Sequence, residues 1–158
     1  MPYARRMSSD AFVPADFEVP LELVSDTFRL EPLGPQHNEP DFAAWTSSAD
    51  HIHSTPGWVG HDWPDLSMSL QDNMGDLVRH ARDFEERQGF TYTVEEAGTG
   101  ETIGCVYIYP PKAADEGGAR VRSWVRADRA SLDPVLYRAV RDWLVRDWPF
   151  TSFQYDER

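Results

Sequence analysis

Residues Thr102–Tyr109 read Thr-Ile-Gly-Cys-Val-Tyr-Ile-Tyr, eight consecutive uncharged positions dominated by β-branched and aromatic side chains. An extended chain sends alternate side chains to opposite faces. A strand of this content is therefore apolar on both faces and needs cover on both, which places it inside a sheet with layers above and below. The preceding segment, Phe90-Thr91-Tyr92-Thr93-Val94, alternates apolar or aromatic residues with threonines, and Gly98-Thr99-Gly100 separates the two segments. Strand, glycine turn, strand predicts a hairpin. Pro110-Pro111 ends its second strand, because proline has no N–H for the ladder.

The elements on either side follow from the same patterns. Thr27–Leu33 predicts a first strand with Phe28, Leu30 and Leu33 inward and Arg29 and Glu31 outward, stopped by Gly34-Pro35. Phe42, Ala43 and Trp45 predict a short helix over 39–50, and residues 53–65, with Pro56, Gly57, Gly60 and Pro64, a loop carrying Trp58 and Trp63. Leu70, Met74, Leu77, Val78, Ala81 and Phe84 predict one apolar helical stripe, with Asp65 or Ser67 as cap and Gly89 as stop. Val121 and Val125 alternate with Arg122, Trp124 and Arg126 in a strand over 119–126. Asp133-Pro134 opens a last helix with Asp133 as N-cap, and its buried stripe is Leu136, Ala139, Val140, Trp143 and Leu144. Trp148-Pro149 ends it before a final strand over 150–155. The order β-α-α-β-β-β-α-β predicts a mixed α/β (α+β) sheet in a single domain over 21–158. Residues 1–20 carry Pro2, Pro14 and Pro20 without periodicity and read as an N-terminal tail that drapes over it.

The net charge of −12 argues against nucleic acid and against anionic membranes, where lysine and arginine supply the affinity. It suits cationic amines, and it equally serves solubility. Lysine occurs once, at Lys112. The single cysteine, Cys105, allows no intrachain disulfide and reads as a small buried residue. No apolar stretch follows Arg5-Arg6, and no run reaches the ~20 apolar residues of a membrane helix, so a cytoplasmic protein is expected.

Chemistry-bearing residues concentrate in two places. Trp58 and Trp63 offer an aromatic wall for an amine substrate, with His61 and Asp62 as bases between them; the same tryptophans equally pin a loop. His80, beside the helical stripe, and Glu116, next to Asp115 after the central strand, are further candidate bases. Arg126 and Arg129 can grip phosphate, or stand as surface charges. His51-x-His53 with His61-Asp62 matches no closed zinc site, so no metal is expected.

The element order, with Phe28-Arg29-Leu30-Glu31-Pro32-Leu33, Gly104-Cys105-Val106-Tyr107-Ile108-Tyr109 and Ser123-Trp124-Val125-Arg126, resembles the GNAT superfamily of N-acetyltransferases. Gly89–Val94 and Trp148-Pro149-Phe150 are similar to stretches of small bacterial GNAT-like proteins. The resemblance spans about 21–155 and implies that acetyl-CoA lies where the strands equivalent to 119–126 and 150–155 splay apart. It implies that pantetheine pairs with the backbone of Ser123, Trp124, Val125 and Arg126. It implies too that pyrophosphate sits on the following loop, with Arg129, Ala130, Ser131 and the helix N-terminus. An amine then attacks the thioester with help from a base. The loop Arg126–Asp133 has no glycine where the family pattern has two small residues, and its side chains limit close backbone approach. Asp133, as N-cap, would further occupy the helix donors. The resemblance thus leaves two expectations, an N-acetyltransferase of an unknown amine or a non-catalytic ligand-binding or dimerisation module. It also implies a C-terminally short fold whose open edge at 150–155 pairs in a homodimer or is covered by the tail.

Overall fold

A computed structural model describes residues 11–112 and 118–158. Six strands form one sheet in sequential order: β1 (Leu23–Val24), β2 (Phe28–Pro32), β3 (Phe90–Glu96), β4 (Thr102–Tyr109), β5 (Ala119–Val125) and β6 (Phe153–Tyr155). Neighbours run antiparallel except β5 and β6, which are parallel, as the connection through a helix requires. The helices are α1 (Asn38–Thr46), α2 (Ala49–His53), α3 (Leu70–Glu85) and α4 (Asp133–Asp147). β1 was not expected; two residues are too few to show a period. The helix expected over 39–50 breaks at Ser47-Ser48 into α1 and α2, and α2 extends to His53, which takes that residue out of the loop.

β4 is the inner strand its composition demands. Val106 and Ile108 join the core beneath α4, with Leu136, Val140 and Trp143. Cys105 packs on the other face with Trp45, Ile52 and Leu77 of α1–α3. Burying each such aliphatic side chain contributes about 1.5–3 kcal/mol. Gly104 is required at the β4–β5 contact, because a Cβ there would lie 2.3 Å from the Trp124 carbonyl oxygen. Residues 11–20 pack into the same core as α4. Phe12 stacks between Phe90 and Phe150, Val13 is buried, and Arg87 donates to the carbonyls of Pro14 and Phe17.

Four local expectations change. Ser69, rather than Asp65 or Ser67, caps α3: its Oγ accepts the Asp72 N–H at 3.0 Å, and Asp72 accepts the Ser69 N–H at 2.9 Å. Asp65 instead closes a turn on Ser67. The helix stops where Arg87 adopts φ +60°, and Gly89 is small because the Tyr109 ring packs on it. The buried side of α3 is also rotated from the apolar stripe. Asn73, Leu77 and His80 face inward, while Leu70, Met74 and Val78 remain about 40% exposed. A polar network under the helix causes the rotation: Asn73 accepts from Trp45 Nε1 and donates to Asn38 and Asp41. Finally, Asp133 is not an N-cap. A 3₁₀ segment, Ala127–Leu132, runs into α4, and Asp133 makes no cap hydrogen bond. No helix among the described residues is long and apolar enough to cross a membrane.

Candidate functional site

The β5–β6 ladder covers only Ala119–Val121 against Phe153–Tyr155. Beyond it, side chains fill the gap. The Ser123 carbonyl accepts from Trp58 Nε1 and from Arg158 Nη2, both at 2.9 Å. Arg158 also donates through Nε to Asp133 at 2.6 Å and lies over the rings of Tyr137 and Tyr155. Its side chain is 3% exposed. Burial pushes the Asp133 carboxyl up, and Arg158 pulls it back. Asp133 Oδ1 and His51 Nε2 are buried without hydrogen-bond partners. Ser123, Trp124 and Val125 are themselves buried, and Trp124 Nε1 donates to Tyr107.

The loop that follows offers little free positive charge. Arg126 pairs with Asp128 at 2.7 Å and donates to the Thr102 carbonyl. Arg129 pairs with Glu96 at 2.7 Å. The Ala127 N–H donates to Ser48 Oγ. Ala130 and Ser131 are exposed on the 3₁₀ turns.

A second site lies beneath α3. Asp41 of α1, Asn73, Asp76, Leu77 and His80 of α3, Tyr107 of β4, and Trp58 and Trp63 line a pocket of about 210 Å³. Trp63 packs between Trp45 and Trp58, and Trp58 meets Tyr107 edge to face. Asp41 is 4% exposed, and one of its oxygens accepts from Asn73. Burial raises its pKa to about 6, against the Asn73 hydrogen bond that lowers it. Its ionised form is therefore ready to take up a proton or hold an ammonium near neutral pH.

His80 is oriented by a chain of donors. The Tyr109 hydroxyl donates to Asp83 at 2.8 Å, so its oxygen is left to accept from His80 Nδ1 at 2.9 Å. Thr91 Oγ1 lies 3.0 Å from the same nitrogen. Nδ1 thus carries the ring proton, and Nε2 keeps the lone pair. Burial above all lowers the His80 pKa to about 4. A ring of that basicity accepts a hydrogen bond from an amine and holds its proton poorly.

His61 and Asp62 stand at the edge of this arrangement rather than in the pocket lining. His61 sits against Trp58, and burial followed by Arg122, Arg120 and Lys112 holds it below its ordinary pKa. Asp62 is exposed. Glu116, with Asp115, lies outside the described residues. One group of metal-ligand types converges among the described residues: Glu31, His37 and Glu95. The Gly34 N–H donates to His37 Nδ1 at 3.0 Å, so the neutral ring keeps its proton on Nε2, 3.4 Å from Glu31. That nitrogen offers a donor to the carboxylate and no lone pair to a cation.

The structure thus brings together Trp58, Trp63 and His80, and adds Asp41, Asn73, Asp76 and Tyr107, which sequence reasoning missed. A signal for Asp41 existed. Asn38, Asp41 and Trp45 recur at i, i+3 and i+7, and an acid on the same helical face as a tryptophan is a buried acid.

No family model and no curated protein matches the chain. Solved structures do. The chain superposes on the ribosomal-protein-S5-alanine acetyltransferase of Vibrio fischeri with TM-score 0.61 and 11% identity, covering 80% of this chain and 68% of that one. RimL, a ribosomal L7/L12 alpha-N-protein acetyltransferase, gives 0.61 at 14% identity over 85% and 70%. The microcin C7 self-immunity acetyltransferase MccE, solved with acetyl-CoA and AMP, gives 0.61 at 13% identity over 80% and 66%. The fold is that of the GNAT acetyltransferases.

Proposed function

We propose that the chain is an N-acyltransferase of the GNAT kind acting on a small amine, with the amine held beneath α3 and acetyl-CoA admitted between β5 and β6. The observation that carries this reading is the pocket where Asp41, unprotonated His80 and three aromatic walls meet next to Trp58, the residue bonded to β5 at Ser123. Trp58, Trp63 and Tyr107 present π faces to a cation, and Asp41 presents its carboxylate. His80 Nε2 orients the amine by accepting an N–H. Asp41 takes the ammonium proton, which frees the nitrogen lone pair. The nitrogen then forms a C–N bond at the thioester carbonyl as the C–S bond breaks; the second proton shed by the nitrogen passes to the leaving thiolate, and Asp41 returns the first to solvent.

A second reading, a GNAT-fold binding module without transfer, is favoured by a separate observation. Arg126 and Arg129 are neutralised by carboxylates, and Arg158 fills the strand gap. On the first reading Arg158 is a latch that leaves when the acyl donor enters. The experiment is thiol release from acetyl-CoA with a panel of small primary amines. Amine-dependent release, reduced at least a hundredfold in a folded Asp41→Asn variant, supports transfer. Amine binding that depends on Asp41 without thiol release from any amine leaves the module.

A further inference from the structure

The described part of the chain has six arginines that are half-buried or more: Arg87, Arg120, Arg122, Arg126, Arg129 and Arg158. Four of them are satisfied by carboxylates or carbonyls. Arg120 and Arg122 are not. The Nε atom of each is buried without a hydrogen-bond partner. Neither forms an ion pair among the described residues, and Arg120 has only a 3.4 Å contact to Gln154. Both project from the same face of β5, two residues apart, so their charges repel, and burial and Arg120 together lower the pKa of Arg122. Lys112 and the His61 ring lie close enough for the three cations to depress the His61 pKa. Among the described residues Asp156 is the acidic group that acts on Arg122, and it forms no ion pair with it.

In a chain of net charge −12, a cationic cluster that no described residue neutralises is a costly feature unless something anionic completes it. Arg122 lies over the Trp58 ring, its Cζ 5.7 Å from the centroid, and Trp58 also walls the amine pocket. One indole therefore separates the acidic pocket from the basic cluster.

We propose that Arg120 and Arg122, beside His61, form an oxyanion subsite, and that the ligand is zwitterionic, with its ammonium on Asp41 and its carboxylate or phosphate on the arginines. The pairing of the two ends rests on the amine pocket proposed above; the oxyanion subsite stands on its own geometry. Two guanidiniums two residues apart on one strand face can each supply paired N–H donors to a planar carboxylate or a phosphate.

The test is an NMR titration of the full chain that follows the arginine Nε–H resonances. Inorganic phosphate and acetate serve as separate probes, with sodium chloride at matched ionic strength as control. Saturable shifts of Arg120 and Arg122 are expected with one or both probes, and the stronger probe identifies the anion. Arg122→Gln should weaken binding at least tenfold, while Arg138→Gln, on the exposed face of α4, should leave it unchanged. Shifts equal to those in chloride, or equal affinity in Arg122→Gln, would overturn the subsite. Ethylammonium, titrated into native protein and Asp41→Asn, tests the amine pocket independently. Phosphoethanolamine then joins the two: binding at least tenfold tighter than both phosphate and ethylammonium supports a zwitterionic ligand, and no gain over the better single probe refutes it.

Discussion

The sharpest prediction uses two buried groups whose pKa values are displaced in opposite directions. Asp41 is raised from 3.8 to about 6, so the folded state holds its proton more tightly than the unfolded chain does. Stability from this group is greatest at low pH and is lost as pH rises from about 4 to about 6. His80 is lowered from 6.5 to about 4, so the fold demands the neutral ring. Its contribution is greatest above pH 6.5 and is lost as pH falls toward 4. At 1.36 kcal/mol per pKa unit, each is worth about 3 kcal/mol as an upper bound. Between pH 4 and 6 the two slopes oppose and nearly cancel. Asp41→Asn should unmask the His80 slope, so this variant loses up to about 3 kcal/mol relative to native protein on acidification from pH 6 to 4. His80→Gln should unmask the Asp41 slope and gain a similar amount. Urea unfolding at half-unit pH steps reads both, and only the change with pH is compared, so the fixed cost of each substitution drops out. Stability curves of both variants running parallel to the native curve within about 0.5 kcal/mol would refute the reasoning.

Other substitutions test the scaffold. Gly104→Ala drives a methyl into the Trp124 carbonyl and should cost about 3 kcal/mol or more in urea unfolding, since backbone on the neighbouring strand cannot yield cheaply. Ser69→Ala removes half of the capping box and should cost about 1 kcal/mol, whereas Ser67→Ala should change stability by less. Arg158→Ala leaves Asp133 buried without its cation and should cost about 3–5 kcal/mol; the Arg158→Ala, Asp133→Asn double variant should recover most of that loss.

The fold was largely legible in the sequence where one physical signal was unopposed. The charge-free run at Thr102–Tyr109 could only be an inner strand, and Gly98-Thr99-Gly100 could only turn it back on its neighbour. Legibility failed where polar contacts outweighed hydrophobic pattern. The apolar residues of α3 suggested that Leu70, Met74 and Val78 face inward, yet Asn73 takes the buried side because Trp45, Asn38 and Asp41 satisfy it there. Asp133 before Pro134 carried a capping signature, but Arg158, 25 residues later, claims its carboxylate. Trp58, Trp63 and His80 stood out by type; Asp41 did not, because its significance comes from burial between two helices.

The most direct test of the account is calorimetric titration of acetyl-CoA into native protein and into the Arg158→Ala, Asp133→Asn double variant. If Arg158 is a latch on the strand gap, both should bind one equivalent, the double variant at least tenfold more tightly. A native protein that binds as tightly as the double variant would mean that Arg158 does not guard the gap. No binding by either would mean that the β5–β6 gap is not an acyl-donor site at all.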